Sequence, residues 1–218
     1  HTRMRSIRWC PGRFAQLGWK TLNWPPFDQL AGDADVYHFP NFIRPPLRKG
    51  SSVVTIHDMS YARYPEMAEE KNLRHLKAHI PRTVCKANAI ITVSEFSKRE
   101  IVDLLGVEPG RVHAIHNGIS QDFKPADSAD ISALRSHLGL DRPYLLTVGT
   151  VEPRKNLPFL VNVFENLDGF DGDLVIAGMP GWKHEPIVRK MRESSRANRI
   201  HWVDHVGDEY LRGLFSGS

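Results

Sequence analysis

The chain has 218 residues, 41% of them hydrophobic and 25% charged, which is longer than one average domain and ordinary for a globular enzyme, with apolar surface for one sizeable core or two modest ones. Twenty-nine Lys and Arg against 25 Asp and Glu leave a net charge of +4, a balance that admits anionic partners without selecting among nucleic acid, phospholipid and sugar phosphates. No run approaches the roughly 20 apolar residues of a membrane span and no opening segment reads as a signal peptide, so a cytoplasmic chain is expected.

In chain order, Cys10 comes first; it and Cys85 fit no C-x-x-C metal spacing, and one pair makes no disulfide framework. Free, buried thiols in a reducing compartment are the expectation. Val36 to Phe39 and Val53 to Ile56 are short apolar runs bounded by Asp, Gly, Pro and Ser, as buried strands are. Residues 68–86 carry Leu73, Leu76, Ile80 and Val84 at helical spacing, although Pro81 should kink or shorten that helix. "AIITV" (89–93) reads as a further strand. Ser97 and Glu100 then read as a capping box, with Gly106 placed to end the helix. "RVHAI" (111–115) closes this half.

Residues 118–129 are polar, aperiodic and contain Pro125, which suits a linker. A short helix ending at Gly139 follows. The alternation then restarts with "YLLTV" (144–148), a helix from Asn156 to Leu167, "LVIAG" (174–178), a helix near 184–197 and "IHWV" (200–203). Strands separated by helices pair in parallel through crossovers, so the expected fold class is α/β with two blocks in series. We place the boundaries at 1–118 for the first domain, 119–129 for the linker and 130–218 for the second. Both blocks read as incomplete doubly wound domains.

In "VGTVEPRKN" a strand breaks at Gly149 and presents Arg154 and Lys155 where open α/β sheets bind ligands. A planar guanidinium and a compact ammonium together, with main-chain amides, suit a nucleotide diphosphate without a metal ion; a solvated loop pair is the plain alternative. Asp33-Ala34-Asp35 has the D-x-D form of a metal site, but it precedes a strand and reads as a polar turn. His75 and His79 stand four apart on a helix with no third ligand in view. No helix-turn-helix, zinc-finger or RNP-like pattern supports nucleic acid as a partner.

"YLLTVGTVEPRKNLPFLVNVF", "VVTIHDMSYARYPE", "AIITVSEFSKREI" and "VHAIHNGI" resemble, in the expected order, segments of the GT-B glycosyltransferases of family 4. The resemblance implies two Rossmann-like domains with an active site between them. It also implies a retaining transfer of sugar from a nucleotide-sugar donor to an acceptor. Carried over residue by residue, Lys155 is the lysine that contacts the donor diphosphate, and His57 is the histidine that bonds the transferred sugar. Both are the implied catalytic residues. Thr150 stands where the family often has arginine, which leaves Arg154 as a substitute. Asn117 and Gly118 match the "NG" at the domain junction, where Gly can also take positive φ to turn the chain. Gly178 matches the family glycine near the nucleotide, and close packing explains it equally. His205 and Val206 follow the last strand, where the nucleotide base is often met. Asp58 is either an acceptor carboxylate or a cap.

The motifs look most like bacterial mannosyl- or rhamnosyl-type enzymes of polysaccharide assembly, which implies a GDP-mannose donor first and a UDP-sugar second. A glycan or lipid-linked acceptor is implied, with no cofactor, no metal and peripheral membrane contact through the basic run from Lys71 to Lys86. The family's E-x7-E glutamates fall beyond Ser218, so these 218 residues are expected to transfer sugar poorly. A non-catalytic nucleotide- or polyphosphate-binding module is the rival expectation.

Overall fold

The structure, a computed structural model, describes residues 12–121 and 123–218. The chain divides into two compact units, 1–118 and 119–218. Both are parallel α/β units.

Unit 1 opens with α1 (Gly12–Thr21) and α2 (Phe27–Ala31), followed by β1 (Val36–Phe39), β2 (Ser51–Thr55), α3 (Ser60–Arg63), α4 (Glu70–Lys86), β3 (Ala89–Thr92), α5 (Glu95–Leu105) and β4 (Val112–Ala114). The strands form one parallel sheet in the order β1-β2-β3-β4. Val54, Ile56, Ile90 and Val112 are fully buried, which explains the unbroken apolar runs: parallel strands are covered on both faces. Leu76, Ile80 and Val84 on α4 and Ile101 on α5 supply the covering layer.

Three local expectations change. α4 continues through Pro81 to Lys86. Pro81 and Lys77 are both exposed, so the carbonyl that loses its partner meets water, while Ile80, Thr83 and Val84 stay buried. The cap of α5 is Ser94, which accepts from the Ser97 amide, rather than Ser97 itself, while Gly106 ends the helix at φ 63° as expected. Cys85 is free but exposed, not buried, because it lies on the solvent side of α4. Cys10 lies outside the described residues.

Glu100 is released from the capping role and binds Arg63 through two bonds of 2.6 and 2.9 Å. The Arg63 guanidinium holds the Glu100 carboxyl below the usual carboxylate range, by its hydrogen bond foremost and by its charge, with burial opposing. A carboxylate lowered in the folded state contributes stability that is complete above its unfolded pKa of about 4.3 and fades as pH falls through the lower folded value. The gap in urea midpoint between the protein and Glu100→Gln is therefore expected to narrow from pH 6 toward pH 3. An unchanging gap would show that the pair adds nothing through its charge.

Unit 2 contains α6 (Ser128–Leu138), β5 (Tyr144–Val148), α7 (Leu157–Glu165), β6 (Asp173–Ala177), α8 (Glu185–Arg192), β7 (Ile200–Val203) and α9 (Asp208–Ser216). Its sheet is parallel in the order β5-β6-β7. Every residue of β6 is buried. Leu174 and Ile176 face a core with Val161, Phe164 and Ile187, while Val175 and Ala177 face another with Leu134, Leu140 and Leu214.

The local sequence pattern predicts no element over residues 208–216, yet the structure has α9 there. α9 forms there because it buries Leu214, whose carbonyl accepts from the Tyr144 hydroxyl at 2.7 Å. Part of the 119–129 segment is tied to α9: Ala126 donates its amide to Ser216 Oγ at 2.9 Å, and Arg212 donates to the Lys124 carbonyl at 3.0 Å. Asp127 caps α6. Among the described residues, no helix is long and apolar enough to cross a membrane.

Candidate functional site

The carboxyl ends of β5 and β6 meet at two glycines. Gly149 donates its amide to the Ala177 carbonyl at 2.9 Å, and a Cβ on Gly178 would lie 2.1 Å from the Gly149 carbonyl oxygen. Two main chains this close leave no room for a side chain, whatever the conformation. On Gly149 itself, at φ 142°, a Cβ would meet Lys155 Cε at 3.2 Å and Nζ at 3.4 Å. The Lys155 stem and ammonium thus lie over the strand end, and a side chain at Gly149 would make them shift by a few tenths of an ångström.

A 3-10 turn, Pro153–Lys155, brings the lysine back, and Asn156 in the left-handed region at φ 51° redirects the chain into α7. That helix starts at Leu157, one residue later than the pattern suggested, because Asn156 supplies the bend. The second cation takes another course. Arg154 Nη2 binds Glu152 Oε1 at 2.7 Å, with the Glu152 side chain only 16% exposed.

Several of the main-chain amides expected to face a ligand are engaged. Those of Gly149, Val151, Lys155, Asn156, Gly178 and Gly181 all donate to main-chain carbonyls. The G-x-x-G of 178–181 is therefore a packing device here: a Cβ on Gly181 would meet the Thr150 methyl at 2.6 Å. Positive charge at this strand end comes from Lys155.

Arg154→Ala is accordingly expected to weaken nucleotide-diphosphate binding by less than threefold, since its charge is already offset by Glu152. Titration calorimetry checks this. A loss as large as that for removal of Lys155 would mean that the guanidinium leaves Glu152 for the ligand.

Thr150 is exposed beside this turn, His205 is exposed beyond β7, and Val206 packs in the core with Leu134. Sequence reasoning missed Trp202 and His184, which brace the loop. Trp202 Nε1 donates to the Gly178 carbonyl and His184 Nδ1 to the Gly181 carbonyl, both at 2.8 Å. No local motif signals either bond.

In unit 1, His57 follows β2. Its Nε2 donates to the Pro40 carbonyl at 3.0 Å and its ring meets Phe42 edge-on at 5.7 Å. A carbonyl only accepts, so Nε2 carries the hydrogen and Nδ1 of the neutral ring is an acceptor. Asp58 accepts from the Ser60 amide and hydroxyl at 2.9 and 2.6 Å, an Asx turn that leads into α3 one residue ahead of its N-cap, Met59. Asn117 and Gly118 are exposed beyond β4. Gly118 is not among the positive-φ glycines, and a Cβ there would meet nothing within 4 Å, so the expected need for glycine flexibility at this turn is not found.

Asp33 and Asp35 lie before the amino end of β1, whereas His57 follows the carboxyl end of the adjacent parallel strand β2. His79 Nδ1 donates to the His75 carbonyl. Among the described residues, no three His, Cys, Asp or Glu side chains converge as a metal site.

Two parallel α/β units of this topology define the Rossmann-like GT-B class. Structures of the same fold include WaaG, a glycosyltransferase involved in lipopolysaccharide biosynthesis, with a TM-score of 0.66 at 16% identity over 95% of this chain and 55% of that one. Another is Anabaena Alr3699/HepE in complex with UDP and glucose, with a TM-score of 0.59 at 20% identity over 77% of this chain and 44% of that one. Residues 3–123 match Glycosyltransferase Family 4, and the chain belongs to that family. Among its relatives is the O-antigen chain mannosyltransferase B of Escherichia coli, 28% identical over 84% of this chain and 49% of the relative. The D-inositol 3-phosphate glycosyltransferase of Mycobacterium bovis is also 28% identical, over 62% of this chain and 28% of its own length. The chain thus spans half or less of the relatives it matches.

Proposed function

We propose that the protein carrying this chain transfers a sugar from a nucleotide-diphosphate sugar to a glycan or lipid-linked acceptor, with retention at the anomeric carbon and without a metal ion. The observation that carries the reading is Lys155, whose ammonium lies over Gly149 at the carboxyl end of β5. As the glycosidic bond to the donor breaks, negative charge develops on the departing diphosphate, and a fixed cation lowers the barrier most where charge grows. The leaving phosphate accepts the acceptor's hydroxyl proton as the new bond forms on the same face. His57 is assigned to the transferred sugar, its ring held by Pro40 and Phe42. Thr150, Gly178, His205 and Val206 are assigned to the donor's surroundings, with Asn117 and Gly118 at the junction.

GDP-mannose is the favoured donor, with support from the mannosyltransferase relative. A UDP-sugar is the second candidate, with support from the UDP complexes of HepE. We place the reaction in polysaccharide assembly on the cytoplasmic side, with the exposed basic face of α4 available to a membrane surface. A donor screen with glycan acceptors tests this: transfer in the presence of EDTA with the donor's anomeric configuration kept is the expected result. Inverted product would overturn retention, and tight donor binding without transfer to any acceptor would favour a nucleotide-binding module.

A further inference from the structure

We propose that a pocket at the amino end of the unit 2 sheet binds a phosphate-type oxyanion, apart from the donor site at the sheet's carboxyl end. The segment before β6 (residues 169–171) and the segment before β7 (residues 195–199) wall it, around a volume of about 440 Å³. β6 runs from this pocket to Gly178, so the length of the strand, roughly 15 Å, separates the two sites.

The charges of the cluster select the ligand class. Arg196 and Arg199 stand in the wall, and Arg142 shares the wall's carboxylate, Asp171, with Arg199. Asp171 is bound by Arg142 through Oδ2 and by Arg199 through Oδ1, both at 2.7 Å, so one negative charge serves two positive ones. Arg196 has no carboxylate partner among the described residues. It donates to the Leu167 and Phe170 carbonyls at 3.2 and 3.5 Å, and its guanidinium lies 5.4 Å from the Phe164 ring centroid. Three guanidiniums against one carboxylate leave a surplus of two positive charges, and Arg196 is fixed in place before any ligand arrives. Glu165, which accepts from the Ser195 amide, is itself paired with Lys190 at 2.9 Å. A guanidinium has five N–H donors, so these partners leave donors on each arginine for another acceptor.

Neutral donors complete the site. The amides of Gly169, Phe170 and Asp171 donate to no acceptor among the described residues, and Gly169 takes the left-handed conformation at φ 77°. Successive free amides around a left-handed residue suit an anion. The Ser195 and Asn198 side chains are exposed in the opposite wall and make no hydrogen bond among the described residues. A carboxylate offers two oxygens, whereas a phosphate offers enough to engage donors of both segments at once. A soluble phosphomonoester and an anionic lipid headgroup present this same chemistry.

The test is an NMR titration of the full chain with glycerol 3-phosphate, in a Lys155→Ala background that removes the cation of the proposed donor site. Saturable, millimolar binding that shifts the amides of residues 169–171 and Asn198 is expected, with no such shift from sodium chloride at equal ionic strength. Arg199→Gln should weaken this binding about tenfold. Asp171→Asn should tighten it roughly threefold, because it frees two guanidiniums for the ligand; ion pairs that serve only to hold the loops together would give the opposite change. No saturable shift, equal shifts from chloride, or weaker binding in Asp171→Asn would overturn the proposal. Vesicles of phosphatidylcholine with phosphatidic acid form the second arm. Cosedimentation with them that Arg199→Gln abolishes assigns the phosphate to a lipid headgroup, and binding of glycerol 3-phosphate alone assigns it to a soluble ester; either supports the site. Because Lys155 is absent throughout, the donor-site reading stands or falls separately.

Discussion

Replacing Lys155 by alanine should raise the dissociation constant for the nucleotide-sugar donor by about 10- to 100-fold, because a hydrogen bond to a charged group contributes roughly 1.5–3 kcal/mol and each 1.4 kcal/mol is tenfold. The thermal midpoint should hardly move, since Lys155 is exposed and no core residue depends on it. Turnover should fall further than affinity, because charge on the leaving diphosphate is greatest in the transition state. Lys155→Arg should restore only part of the loss, because a planar guanidinium is broader than the ammonium that lies over Gly149 and presents its charge in a different geometry. Calorimetry across a salt series is the measurement. Undiminished affinity in Lys155→Ala would refute the donor-site assignment.

Gly178→Ala should damage unit 2 most among the glycine substitutions at this strand end. The added methyl would lie 2.1 Å from the Gly149 oxygen and 2.6 Å from its carbonyl carbon, both main-chain atoms that no rotamer change can move. Overpacking of this kind costs about 1–3 kcal/mol, and in a unit of about 100 residues each kcal/mol lowers the midpoint by roughly 4–8 °C. Any relief separates β5 from β6 and displaces Gly149, which carries Lys155 with it, so donor affinity should fall even in the folded fraction. Gly118→Ala is the control, with open space around its Cβ and an unchanged midpoint expected. Equal midpoints for the two variants, by scanning calorimetry, would show that the close approach of the strand ends is not rigid.

Much of the architecture is legible in local pattern because strands of a helix-covered parallel sheet leave continuous apolar runs, as β2, β3, β5 and β6 do, although β6 is buried throughout while Leu145 and Val148 of β5 stay exposed. Helix ends are legible where one residue decides them, as Gly106 and Gly139 do in the left-handed conformation. α9 is not legible, since its helix depends on burying Leu214 beneath a tyrosine 70 residues away in the chain. The cap of α5 departs from the local pattern for a related reason: Glu100, the apparent box partner, binds Arg63 of another helix, and Ser94 caps instead. At the candidate site, "VGTVEPRKN" identifies the turn and its two cations but not their different fates.

The sequence alone determined the α/β alternation, the division into two units and the family, together with the strand-glycine-cation arrangement that draws attention to Lys155. These are properties of neighbours along the chain. Packing in three dimensions sets Lys155 over Gly149 and Arg154 against Glu152, engages the amides of Gly149, Val151, Gly178 and Gly181 with main-chain carbonyls, and brings Trp19, Asn41 and Asn72 to line one groove. A charge's partner, an amide's acceptor and the space at a Cα are settled by which segments pack together, and strands paired through crossovers bring together residues far apart in sequence.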